Sequence, residues 1–252
     1  MTPLFVDELL RFLGAKEIVS SDYSNFEGAT HIHDLNERYP EAMRGHFDMV
    51  LDGGTFEHIF DYPAALRHCM ELIRPGGHFL TTTPVHNFMG HGFYQISPEL
   101  FFRVFQDENG FALRKIVLYK WLAEDATFFE VKDPAVTGCR TELFSAAPML
   151  LGVLAQRTRE VPILARPPQQ SDYEAVWEKH QKSSAFALAA RSGWLWRLRV
   201  ALNPYWPGRL LFWKNHLLER RRVGRASLGN PRHFRRLSKN EIFLEGAIPT
   251  RK

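Results

Sequence analysis

Residues 85–105, VHNFMGHGFYQISPELFFRVF, gather His86, Asn87, His91, Tyr94 and Gln95 into one short loop-like stretch. Imidazole changes protonation near neutral pH, so a histidine held beside a ligand suits proton abstraction. His91 stands between Gly90 and Gly92, which let its backbone approach a ligand closely. It is the first candidate base, His86 is the second, and Tyr94 supplies an orienting hydroxyl. The alternative for both histidines is that they only hydrogen-bond the loop to its sheet. His58, beside Glu57 in an earlier loop, has the same choice between a pocket and a helix cap. The three histidines lack the spacing of a metal-ligand set, and no metal is expected. A second polar group sits where apolar runs end. Asp22 follows EIVSS, Asp34 and Leu35 follow THIH, and Asp52-Gly53-Gly54 follow Met49–Val50–Leu51. A carboxylate only accepts hydrogen bonds and can take two donors at once.

The elements that must position these residues centre on residues 47–84. Residues 49–51 read as the end of a buried strand, and the Asp-Gly-Gly that follows as a tight turn. Asp61 can cap the next helix, and Pro63 falls in its first turn, where a missing N–H costs nothing. Leu66, Cys69, Met70 and Ile73 then recur at i, i+3, i+4 and i+7, one apolar face for a sheet. Pro75-Gly76-Gly77 closes the helix, and residues 78–83 are β-rich. Strand, crossover helix and strand of this length make a right-handed βαβ unit with parallel strands. Ligands of such folds bind outside the carboxyl ends of the strands, where the His91 loop begins.

Around this unit, residues 2–13 predict a helix with Val6, Leu9, Leu10 and Leu13 on its apolar face. Residues 17–21 and 30–33 read as strands. Ser97 and Pro98 start a helix whose core face is Leu100, Phe101, Val104 and Phe105. Residues 111–122 predict a strand, residues 123–142 an insertion over the pocket, and residues 148–156 an antiparallel strand ending in solvent at Arg157 and Arg159.

In order and spacing, FDMV, Glu57-His58 and LIRPGG resemble the second half of the class I S-adenosylmethionine (SAM)-dependent methyltransferases. The stretch from His86 onward is similar to the NFxGHGFYQxSPELF signature of a bacterial methyltransferase-like family found beside sugar and surface-polysaccharide genes. That similarity extends back through SDYSNFEGATHIHDLN and DGGTFEHIF. The resemblance implies an α/β, Rossmann-like, mostly parallel sheet in the order 3-2-1-4-5-7-6. It also implies S-adenosyl-L-methionine as cofactor and methyl transfer to a small molecule or a glycan or polysaccharide intermediate. In it, Asp22 accepts from the ribose hydroxyls, Asp34 and Leu35 lie beside the adenine, and Gly53 and Gly54 line the cofactor. The family's first strand and glycine-rich turn should precede Pro3 and are expected to be missing or replaced. That lack favours a second reading, a non-catalytic module that keeps the fold and docks elsewhere.

Composition bounds the rest. Hydrophobic residues make up 45% and charged residues 24%, ordinary for a globular chain of 252 residues. Cys69 and Cys139 offer neither a disulfide framework nor metal spacing, so the expected compartment is a reducing cytoplasm. Charge is uneven. Residues 1–165 carry 14 Lys and Arg against 22 Asp and Glu, whereas residues 166–252 carry 18 against 6. The shift marks a boundary at Arg166-Pro167-Pro168, dividing a 1–165 methyltransferase-like domain from a 166–252 basic, mainly helical extension with a poorly ordered tail after Ser227. Trp194, Trp196, Trp206 and Trp213 accompany the arginines there. Trp with Arg on amphipathic helices suits packing as a helical cap, or docking through residues 183–222 on a protein partner or the inner membrane surface. Nucleic acid ranks behind both.

Overall fold

The computed structural model describes residues 6–121, 127–171, 173, 217 and 225–244. A first helix, α1 (Val6–Phe12), leads to two short parallel strands, β1 (Ser21–Asp22) and β2 (His31–Ile32). The βαβ unit follows as β3 (Phe47–Asp52), α2 (Tyr62–Leu72) and β4 (Ile73–His86), with β3 and β4 parallel. Asp61 caps α2 by accepting from the Ala64 amide at 3.3 Å. Its sheet-facing residues Leu66, Cys69 and Met70 are all buried, as is Ile73 just beyond its end. Beyond β4 come α3 (Pro98–Val104), β5 (Phe111–Lys120), β6 (Phe128–Val131), α4 (Pro134–Thr137), β7 (Met149–Arg157) and β8 (Phe234–Arg236). A last helix spans Lys239–Leu244. Ser97 caps α3 through the Glu99 amide, and Phe101, Val104 and Phe105 are buried behind it.

The large sheet is mixed, in the order β3-β4-β7-β5-β6-β8. Only β3 and β4 pair in parallel; β7 runs antiparallel to both β4 and β5, and β6 and β8 continue antiparallel. A mostly parallel sheet was expected, and these pairings correct it. Strand β7 inserts between two strands that point the same way, and β6 and β8 add two further antiparallel edges. The core lies between α2, α3 and the sheet, where Phe56, Phe79, Phe105 and Phe111 form a chain of ring contacts at 5.4–6.0 Å.

Three further expectations change. The apolar face of α1 is exposed, with Leu9 at 55% and Leu13 at 69%, because no layer among the described residues covers it. Arg157 is buried rather than solvated. Strand β7 alternates with period two, which puts Arg157 on the core side with Met149, Leu151, Val153 and Ala155. There its guanidinium donates to the Glu71 and Ile73 carbonyls at the carboxyl end of α2, groups a helix end leaves unpaired. Residues 225–244 are not a loose tail: β8 pairs with β6, and Phe234 is buried in the core. Between residues 172 and 224 the expected basic helical extension, and with it the docking segment 183–222, lies outside the described residues apart from Tyr173 and Leu217. No helix among the described residues is long and apolar enough to cross a membrane.

Candidate functional site

Strand β3 ends on Asp52, which is buried and turns the chain. Its Oδ1 accepts from the Thr55 amide at 2.8 Å and the Gly54 amide at 3.3 Å, while Oδ2 accepts from the Thr81 hydroxyl of β4 at 2.6 Å. The turn continues as a short 3-10 helix, Phe56–His58, that sends Glu57 inward and leaves His58 exposed. Glu57 is 1% exposed. Gly54 is required here twice over. Its φ of +107° disfavours a side chain, and a Cβ would lie 3.1 Å from Glu57 Oε1.

The loop after β4 closes on this turn. The Phe93 amide donates to the Glu57 carbonyl at 2.7 Å and the Tyr94 amide at 3.3 Å. Gly92, at φ +68°, passes so close that a Cβ would sit 2.7 Å from the same carbonyl oxygen. This approach brings His91 Nε2 to 3.4 Å from Glu57 Oε1, with the His58 and His91 rings edge to face at 4.8 Å. His91 is therefore not alone in its loop. It shares a cluster with a buried carboxylate and a second imidazole.

The electrostatics are those of acids held away from water. Burial pushes the Glu57 carboxyl up, and the nearby Asp52 charge adds to the effect against the pull of His58 and His91. Burial likewise raises Asp52, against its hydrogen bonds from Thr81, Thr55 and Gly54. Burial also raises the Cys69 thiol to about 12, which makes it inert as a nucleophile.

Other expected residues fall at different places. Tyr94 donates its hydroxyl to the Phe60 carbonyl at 2.7 Å, bracing the turn after Glu57. His86 turns to Ser145, whose amide donates to its Nε2 at 3.3 Å, and lines a cavity of about 240 Å³ with Gln95, Ser97 and Thr141. Asp22 accepts from the Ser24 amide at 2.8 Å and Asp34 from the Asn36 amide at 2.9 Å, both in local turns. The Asn36 hydrogen bonds hold the Asp34 carboxyl below its ordinary range. Asn36 Oδ1 in turn accepts from the Asp61 amide at 3.0 Å, which ties the Asp34 turn to the start of α2. Leu35 is buried against the core, and Gly53 is exposed beside Gly54.

Around the cluster, aromatic rings reach solvent. Phe60 and Phe93 meet edge to face at 6.0 Å, and Phe88 touches both His91 and Trp121. Phe60 is 75% exposed and Phe93 66%, an apolar rim beside a polar centre. A wider basic groove of about 640 Å³ is lined by Lys120, Lys132, Arg235 and Arg236.

Sequence reasoning used Glu57 only as half of a Glu-His pair and passed over Thr81. Neither carries a local signal. What marks Glu57 is that Gly54 in its own turn and Gly92 in the distant loop both pack against it where a Cβ would crowd it. The chain matches no protein-family model, and no curated protein matches it.

Proposed function

We propose that this chain is a SAM-dependent methyltransferase that acts on a small molecule or a glycan or polysaccharide intermediate. The observation that carries the reading is the sheet. Strands β3, β4, β7 and β5, with β7 antiparallel, follow the 4-5-7-6 order of the methyltransferases that the motifs resemble. The parallel pair β1 and β2 matches the second and third strands of that order. The cofactor would supply an electrophilic methyl group. The residues present fit it in part. Asp22 spends Oδ1 on Ser24, which leaves Oδ2 for a ribose hydroxyl. The turn that holds Asp34 and Leu35 after β2 is tied through Asn36 to the start of α2, and Gly53 and Gly54 follow β3. His91 takes a proton from the acceptor, while Tyr94 and His86 shape the loop around it.

One observation favours the alternative, a non-catalytic module that docks a membrane surface or partner through its basic region. Strands β1 and β2 form their own two-stranded sheet, separate from the edge at β3. Calorimetry with SAM and S-adenosylhomocysteine decides between the two. The enzyme reading expects binding, weakened by about 1–3 kcal/mol in Asp22→Ala through loss of a charge-assisted bond. His91→Asn should lower turnover by roughly 10²–10⁴ with cofactor affinity unchanged. No cofactor binding, together with salt-sensitive binding to anionic vesicles, would establish the docking module instead.

A further inference from the structure

We propose that Glu57, His58 and His91 hold a single divalent cation of the borderline class, Zn²⁺ foremost, between the loops that follow β3 and β4. Each offers one donor atom, and the three donors lie within 4.8 Å of one another. The Glu57 side chain is only 2% exposed, and its Oε2 has no hydrogen-bond partner among the described residues. A carboxylate in that position is costly unless a proton or a cation balances it. Its contact with His91, at 3.4 Å, is long for a good N–H···O bond. The same distance suits two ligands of one ion, because bonds of about 2.0–2.1 Å at tetrahedral angles set donors roughly 3.4 Å apart.

The donor set selects the class of metal. Two imidazoles and one carboxylate suit Zn²⁺ and its neighbours, whereas Mg²⁺ and Ca²⁺ call for oxygen cages. Both histidines are exposed, so the ion has a path in and water can complete its shell. Further support comes from the shell behind Glu57. Its backbone carbonyl is held by the Phe93 and Tyr94 amides, and Gly54 leaves room beside Oε1. Bound there, the cation would pin two loops that the Glu57 carbonyl, the Tyr94 hydroxyl and the Phe60–Phe93 ring contact already bring together. With the ion bound, His91 would be a ligand rather than a free base, and the ion would supply Lewis-acid polarisation of an acceptor oxygen. Metal binding itself does not depend on the methyltransferase reading.

The test uses the full chain, stripped with a chelator, dialysed and titrated calorimetrically with zinc chloride. One equivalent should bind and raise the melting temperature, and Co²⁺ in its place should give visible absorption of tetrahedral intensity. His58→Asn and His91→Asn should each weaken zinc binding by roughly tenfold or more, and His86→Asn should not. Glu57→Gln should do the same, but that site is buried, so the decision rests on the two exposed histidines, with folding checked by circular dichroism. The proposal is overturned if no stoichiometric zinc binds. It is equally overturned if the His58→Asn/His91→Asn double variant binds as wild type, or if the loss appears instead in a His31→Asn/His33→Asn variant. Failure to bind SAM in the same preparation would bear on the proposed activity alone.

Discussion

Asp52 and Thr81 show how a single pair can hold the mouth of the site. Thr81 is 1% exposed and its hydroxyl donates to a buried carboxylate, the only side chain among the described residues seen to do so for Asp52. Thr81→Val keeps the shape and removes the donor. The expected cost is about 1–3 kcal/mol, read as a lower denaturant midpoint at unchanged slope, because a desolvated acceptor is left unsatisfied. A loss within about 0.5 kcal/mol would mean that Asp52 is protonated or hydrated in a way that does not need Thr81. The same scale explains Tyr94. Its hydroxyl was a natural candidate to orient a base, yet it spends its bond on the Phe60 carbonyl, so its contribution to any reaction is to keep the Glu57 turn in place.

At the scale of elements, α2 and β4 carry two imidazoles that the fold keeps away from water. Burial pulls His68 below the ordinary 6.5, with Arg67 and Arg38 assisting and the Leu35 carbonyl and Glu71 opposing. Burial pulls His78 down as well, with Arg114 assisting. Each therefore binds its proton more readily in the unfolded chain. The stability they contribute is full above pH 6.5 and is lost as pH falls below that value toward their depressed pKa. Melting temperature should accordingly fall on acidification from about pH 8 to about pH 5.5. Asp52, raised by burial, acts in the opposite sense at lower pH. The informative quantity is thus the difference between wild type and His68→Gln, which should show a shallower slope across that window. Equal slopes would assign the pH dependence to other groups.

For the whole molecule, the notable feature is that the basic end of the chain returns to the sheet. Strand β8 supplies Phe234 to the core, 4% exposed, and Arg235 pairs with both Glu130 of β6 and Glu241. The sheet domain therefore does not close on residues 1–165 alone. Phe234→Ala should destabilise the whole fold by about 3–5 kcal/mol, with faster hydrogen exchange in residues 128–131, because a large buried ring is lost. A change confined to residues 225–244 would instead mean that β8 is an accessory edge. Among the described residues, β3 forms the opposite edge of the sheet and the apolar face of α1 is exposed.

Local features were legible in the sequence because nearest neighbours along the chain decide them. The Asp61 cap, the apolar face of Leu66, Cys69 and Met70, the Ser97-Pro98 helix start and the strands around Met49, Phe79, Ile116 and Val153 all follow from periodicity and capping. His91 could be singled out from its glycines and its place after a strand. Its partners could not, since Glu57 lies 34 positions earlier and meets it only in the loops that follow two parallel strands. The same holds for Arg157, whose burial follows from which face of β7 is inward, a matter of register against β4 and β5. A slip of one residue would turn that guanidinium to solvent. The destination of His86 toward Ser145, the return of β8 and the antiparallel majority of the sheet were likewise decided by tertiary structure. Pairings between distant segments depend on how whole strands align, and no window of the sequence contains both partners.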